Sequence, residues 1–147
     1  MAGPCADTSF LFALYGDDAH SSTARAWVAR HAATLPVASY AAFELANALR
    51  CAEFRKLVAL DDARASLAAF RRDTDAGLIR LITPNAGDVL TEAERLSSRH
   101  SASGGFRSFD ILIVASAVVM RASLFLSFDS RQRQLARLAK LAIAPEI

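Results

Sequence analysis

Four carboxylates in this chain stand where a carboxylate is costly. Asp7 is the only charge in the first sixteen residues, and Glu44 is the only charge between Arg30 and Arg50. Asp110 leads the apolar run 111–120, and Asp129 directly follows the apolar run 124–128. A carboxylate in apolar surroundings loses its hydration unless it is paired or binds a cation. No basic residue shares these local contexts, so the four acids read as the lining of one shared pocket. Hard oxygen donors suit Mg²⁺ or Mn²⁺. Such an ion lowers the pKa of a bound water and stabilises charge on a phosphoryl oxygen, which is the chemistry of phosphodiester hydrolysis. The structural alternative is strongest for Asp7 and Asp129, since Asp7-Thr8-Ser9 and Asp129-Ser130 are natural helix-start signals. It is weakest for Glu44, which has no basic residue three or four positions away on its helix, and for Asp110, which is followed at those spacings by Ile113 and Val114.

The elements that must position these acids alternate between short apolar strands and helices. A first strand precedes Asp7, though Gly3-Pro4 are poor strand residues and predict a short one. Further strands are expected at 36–39, 78–82, 124–128 and 142–144. Helices are expected at 9–15 (ended by Gly16), from Ser21 or Ser22, and at about 41–58. Others should start at Asp61 or Asp62 (ended by Gly77), run over 84–100, start at Ser108 and continue to about 122, and cover 130–140. Residues 101–107 read as a loop. Nearly all-apolar strands alternating with helices imply a parallel sheet covered on both faces, with ligands bound at the strands' carboxyl ends. Asp7 and Asp129 fall just past strands, and Asp110 and Glu44 fall early in helices. All four therefore point to one sheet edge.

The chain has 147 residues, enough for one domain, 1–147, with a sizeable core. It is 53% hydrophobic and 22% charged, which excludes general disorder. A net charge of +2 permits a nucleic-acid partner without demanding one. Arg133, Arg137 and Lys140 repeat at helical spacing as a basic stripe opposite Leu135, Leu138 and Ala142, and Arg107 precedes Asp110 by three residues. These are the candidate contacts to a phosphate backbone, and Arg50, Arg55 and Lys56 form a further basic cluster; each group taken alone reads first as a solvated helix face. His20, His31 and His100 lack metal-ligand spacing and read as surface or helix-end residues. Cys5 and Cys51 form no disulfide framework, residues 1–16 lack a basic signal-peptide region, and the run 111–120 is too short to span a bilayer. A cytoplasmic protein with no membrane association is expected.

At these residues the chain resembles the PIN-domain nucleases, in particular the VapC-type toxins of bacterial type II toxin–antitoxin pairs. The resemblance lies in Asp7-Thr8-Ser9, in Phe43-Glu44 with Asn47 and Arg50, in the segment Arg107 to Ala117 around Asp110, and in Leu126 to Gln132 around Asp129. It spans nearly the whole chain and rests on four motifs in order. It implies a three-layer α/β/α fold with a central, mainly parallel sheet, Mg²⁺ or Mn²⁺ dependence, and endoribonuclease activity. It also implies a cognate antitoxin partner and commonly a homodimer. On this reading Asp7, Glu44, Asp110 and Asp129 are catalytic metal ligands, direct or through water, while Ser9, Asn47 and Ser127 orient carboxylates or metal-bound water. Where related members often carry a histidine, this chain has Ile113. The alternatives are a DNA-directed or processing nuclease of the same fold, a non-catalytic domain that binds RNA or protein, and a flavodoxin-like phosphoacceptor. The last wants a lysine close to the acids, and Lys140 lies instead in the basic stripe.

Overall fold

Every strand but the last hands the chain to a helix, and this alternation builds the fold. The computed structural model describes residues 3–32 and 34–147; Met1 and Ala2 of the opening segment lie outside it. The elements run β1 (Pro4–Ala6), α1 (Thr8–Tyr15), α2 (Ser21–His31), β2 (Leu35–Ala38), α3 (Ser39–Phe54) and α4 (Leu60–Asp75). They continue as β3 (Ile79–Ile82), α5 (Ala86–Gly104), α6 (Ser108–Val119), β4 (Leu124–Leu126), α7 (Ser130–Leu138) and β5 (Ile143–Ala144).

All described strand pairings are parallel. β4 lies between β1 and β5, β2 pairs with β3, and β1 runs beside β2. The fold is a three-layer α/β/α sandwich around this parallel sheet. Burial follows from that placement: Leu35 to Ala38 are buried without alternation, as are Cys5, Ala6, Phe125 and Leu126. β3 is different, with Arg80 and Leu81 exposed. Phe10, Leu11, Leu45, Leu49, Leu96, Ile113 and Leu135 fill the core between helices and sheet. Each such side chain contributes about 1.5–3 kcal/mol through burial.

The first strand forms despite its proline. Pro4 is the first residue of β1, where its missing N–H breaks no ladder. Ser123 N–H donates to Gly3 O at 2.9 Å and Asp7 N–H donates to Leu126 O at 2.9 Å, so the ladder reaches the first acid. Two expectations need correction. The segment 101–107 is mostly helix: nothing in Ser101-Ala102-Ser103 breaks α5, which runs to Gly104 and ends at Gly105 in the left-handed conformation (φ 63°). Gly104 is required by packing, since a side chain there would meet the Phe106 ring at 2.3 Å. At the other end of the fold, α3 stops at Phe54 rather than near 58 and turns through Lys56 (φ 58°).

Candidate active site

The carboxyl ends of β1 and β4 are adjacent, and each delivers an aspartate that caps the following helix. Asp7 Oδ1 accepts Phe10 N–H at 2.9 Å. Asp129 Oδ1 accepts Gln132 N–H at 2.8 Å. Ser9 ties the two together. Its hydroxyl donates to Asp7 Oδ1 at 2.7 Å and accepts the N–H groups of Phe128 (2.9 Å) and Asp129 (3.2 Å). The buried Ser127 hydroxyl lies 3.3 Å from that of Ser9 and accepts Asp129 N–H at 3.1 Å. Glu44 and Asn47 come from the second and third turns of α3, and Asp110 from the first turn of α6.

These elements enclose one cleft of about 410 Å³ whose walls include Asp7, Ser9, Glu44, Asn47, Arg107, Asp110 and Asp129. The four acids expected to share a pocket do so. Their electrostatics follow from the crowding. Burial pushes the Asp7 carboxyl up from 3.8 to about 6, against the hydrogen bonds from Ser127, Phe10 N–H and Ser9, and the Asp129 charge pushes the same way. Asp110 is raised by burial and then by Glu44 and Asp129, opposed by Arg107 and Arg131.

The match to the PIN domain family covers residues 5–138. The chain belongs to that family. Solved structures share its fold at low sequence identity. VapC20 of Mycobacterium tuberculosis, described as a sarcin-ricin loop cleaving toxin, is 22% identical over 90% of this chain and 94% of its own, with a TM-score of 0.68. VapBC2 from Rickettsia felis, solved bound to a DNA fragment from its promoter, is 13% identical over the full length of both chains, TM-score 0.68. VapBC-1 from nontypeable Haemophilus influenzae is 14% identical over 98% and 97%, TM-score 0.68. At these identities the likeness is one of fold. No curated protein matches the sequence.

The residues of this PIN domain fit a hydrated divalent cation in donor type. Four hard oxygen donors face one cleft, and two further polar atoms in its wall, Thr8 Oγ1 and Gln132 Oε1, are buried without a hydrogen-bond partner. The water shell of such an ion would supply the donor that Gln132 Oε1 lacks. Among the described residues, no three His, Cys, Asp or Glu side chains are grouped closely enough to grip one ion as they stand. Glu44 and Asp110 are only half-buried and Asp129 is exposed, so their side chains have room to turn toward the fixed Asp7.

The basic residues divide. Arg107 is exposed at the cleft, whereas Arg137 and Lys140 are exposed but not part of its wall. Arg133 is not on an exposed stripe. It is buried at 7% exposure, and its Nη1 donates to Ser127 O at 2.7 Å and Pro145 O at 2.8 Å. Its position at the edge of the arc formed by Gln132, Leu135 and Ala136 turns it into the core, where two carbonyls take the place of solvent. Arg55 reaches the cleft instead. The sequence carries a signal for it: positions 44, 47, 48, 51 and 55 share one helical face. Arg131 is a further residue at the site that its spacing does not single out. Its Nη2 donates to Gly104 O (2.6 Å) and Gly105 O (2.7 Å), tying the start of α7 to the turn that leads to Arg107. No described helix is long and apolar enough to cross a membrane.

Proposed function

We propose that this chain is a metal-dependent endoribonuclease acting as the toxin of a toxin–antitoxin pair. One observation carries the reading: Asp7, Glu44, Asp110 and Asp129, far apart in sequence, line a single cleft of a PIN domain. Similarity in fold to VapC20, described as a sarcin-ricin loop cleaving toxin, and to VapBC structures supports RNA as the substrate and a cognate antitoxin as the partner.

Asp7, Glu44, Asp110 and Asp129 would hold Mg²⁺ or Mn²⁺, which when bound supplies a water of lowered pKa and stabilises charge on a phosphoryl oxygen. The rest falls to the chain's own groups. Phe10 N–H and the Ser9 hydroxyl fix the Asp7 carboxylate, so that it faces the cleft without rotational freedom. Asn47, exposed on the same helical face as Glu44, can donate to a carboxylate or to a substrate oxygen. Arg107 and Arg55 stand on the cleft wall where phosphate oxygens would run, and Arg107 pairs with the backbone charge rather than with any one base. Arg137 and Lys140, exposed on and just past α7, extend that attraction at longer range.

Purified protein, freed of antitoxin, should cut single-stranded RNA with Mg²⁺ or Mn²⁺ and stop when a chelator is added. Restoring the metal should restore cutting. Among the described residues no three acids gather around one point, which favours the non-catalytic alternative. That alternative wins if RNA is bound but never cut with either metal. Cutting of DNA alone would keep the nuclease and change its substrate.

A further inference from the structure

A second, largely apolar pocket of about 440 Å³ opens beside the acidic cleft and shares a wall with it through Ser9, Arg55 and Asp129. Its inner side is an aromatic pile. Phe128 stacks on Phe10 at 5.5 Å and 8°, and His20 stacks on Phe128 at 4.5 Å and 7°. Phe10 is fully buried and held edge-on by Trp27 at 6.0 Å and 89°, and Phe128 is buried at 8% exposure. The two inner rings are therefore fixed. His20, half-buried just before α2, is the most exposed ring of the three. Apolar side chains of Phe12, Ala48, Cys51 and Leu57 surround the space in front of it.

We propose that this pocket takes one nucleobase of the single-stranded RNA substrate, stacked as the next plate on His20. Single-stranded RNA is recognised largely through unstacked bases laid on aromatic side chains. A pocket that pairs a planar, apolar wall with a cation on its rim matches a base attached to a phosphate. Arg55 is that cation, and it belongs equally to the acidic cleft. The base would thus be held while its neighbouring phosphate lies among the carboxylates. This inference rests on the ribonuclease reading and makes His20 a specificity-determining contact of the RNA, outside the metal-binding set.

The test is a cycle between protein and RNA. Short fluorescent single-stranded oligonucleotides carry one abasic position, moved stepwise along the strand, and their affinity is read by anisotropy with the Asp110→Asn protein, while kcat/KM is read with the otherwise wild-type chain. One abasic position next to the cleaved bond should weaken binding about tenfold, the scale of a lost base–aromatic stack. His20→Ala should cause a similar loss on intact RNA and no further loss on the abasic strand. His20→Phe should retain most of the affinity, which separates stacking from disruption of the fold. Independent, multiplying losses would overturn the proposal, as would full affinity of His20→Ala for intact RNA. Loss of antitoxin binding in His20→Ala with RNA binding unchanged would make the pocket a protein-docking surface instead. RNA cut without any position sensing His20 removes this inference alone; no RNA bound or cut at all removes the ribonuclease reading with it.

Discussion

Asp7 and Asp129 are built alike and situated differently. Each follows a parallel strand, each caps the next helix by accepting the N–H three residues on, and both are joined to the one Ser9 hydroxyl, which donates to Asp7 Oδ1 and accepts Asp129 N–H. Yet Asp7 is 1% exposed while Asp129 is exposed. Capping and facing the cleft are not competing roles here: one carboxylate oxygen satisfies the helix, and the group as a whole still lines the site. The difference between them is freedom. Asp7 is a fixed, desolvated charge; Asp129 keeps water and room to move. A carboxylate that cannot retreat into solvent gains most from a cation, because its hydration has already been lost.

Charge-neutral substitutions test that difference most strongly. Asparagine is as good a cap as aspartate, so Asp→Asn removes the charge and leaves the helix start intact. Asp7→Asn should lower kcat of RNA cleavage by roughly 10²–10³-fold, the scale of removing a preorganised electrostatic group. Asp129→Asn should cost about tenfold, nearer the loss of an outer partner of a metal site. Single-turnover rates at saturating metal measure both. Equal losses would mean that burial has no bearing on how much each acid contributes.

Next in size is the effect of pH on the metal-free protein. The folded Asp7 value of about 6 exceeds the ordinary 3.8, so the folded chain holds this proton more tightly than the unfolded one. The stabilisation is complete below about pH 4 and is lost as pH rises through about 6. Its full size is about 3 kcal/mol, from a shift of roughly two pKa units at about 1.36 kcal/mol each. Asp110 is shifted in the same direction. Urea denaturation of wild type and Asp7→Asn, at intervals from about pH 4 to 7 with chelator present, isolates the Asp7 share: wild type should lose stability relative to the variant as pH rises. Parallel profiles would show that Asp7 is not desolvated in solution.

The same division between what is fixed and what is free decides how much the sequence could reveal. Charge isolated in apolar runs locates all four acids, because burial of a carboxylate leaves a one-dimensional trace. The alternation of strands and helices points to the sheet edge on which they converge. What leaves no trace is the side of a helix turned inward. Arg133 and Arg137 differ by one turn of α7, and a short helix flanked by polar residues does not say which of them meets the core. Nothing around Gln132 in the sequence signals burial either, although its side chain is buried in the cleft wall. His20 is silent in the sequence because a lone histidine carries no spacing signal, and Phe128, its neighbour in the stack, lies near the other end of the chain. The end of α5 is ambiguous because serine and alanine are compatible with both loop and helix, and only Gly105 adopts the left-handed conformation that stops it.

Arg133 and Arg137 of α7 repeat the contrast of the two aspartates with the sign of charge reversed, and they provide its smallest test. Arg133 has given up solvent for the carbonyls of Ser127 and Pro145, and so pins the carboxyl end of β4 against the residues after β5. Burial lowers its pKa, and the nearby Arg137 charge lowers it further, while Asp7 acts in the opposite direction. Truncation leaves two carbonyls without their donor and a gap where the aliphatic stem packed. Arg133→Ala should therefore cost about 2 kcal/mol in chemical denaturation, a sum of unmet hydrogen bonding and lost packing. Arg133→Met, which restores the stem but not the donors, should recover only part of it. Arg137→Ala, exposed one turn later, should stay within about 0.5 kcal/mol of wild type. Because Ser127 accepts Asp129 N–H through its side chain and Arg133 holds its carbonyl, the Arg133 variants should also lose RNA cleavage out of proportion to Arg137→Ala. Equal stability of Arg133→Ala and Arg137→Ala would place both guanidinium groups in solvent and remove the structural pin from the site.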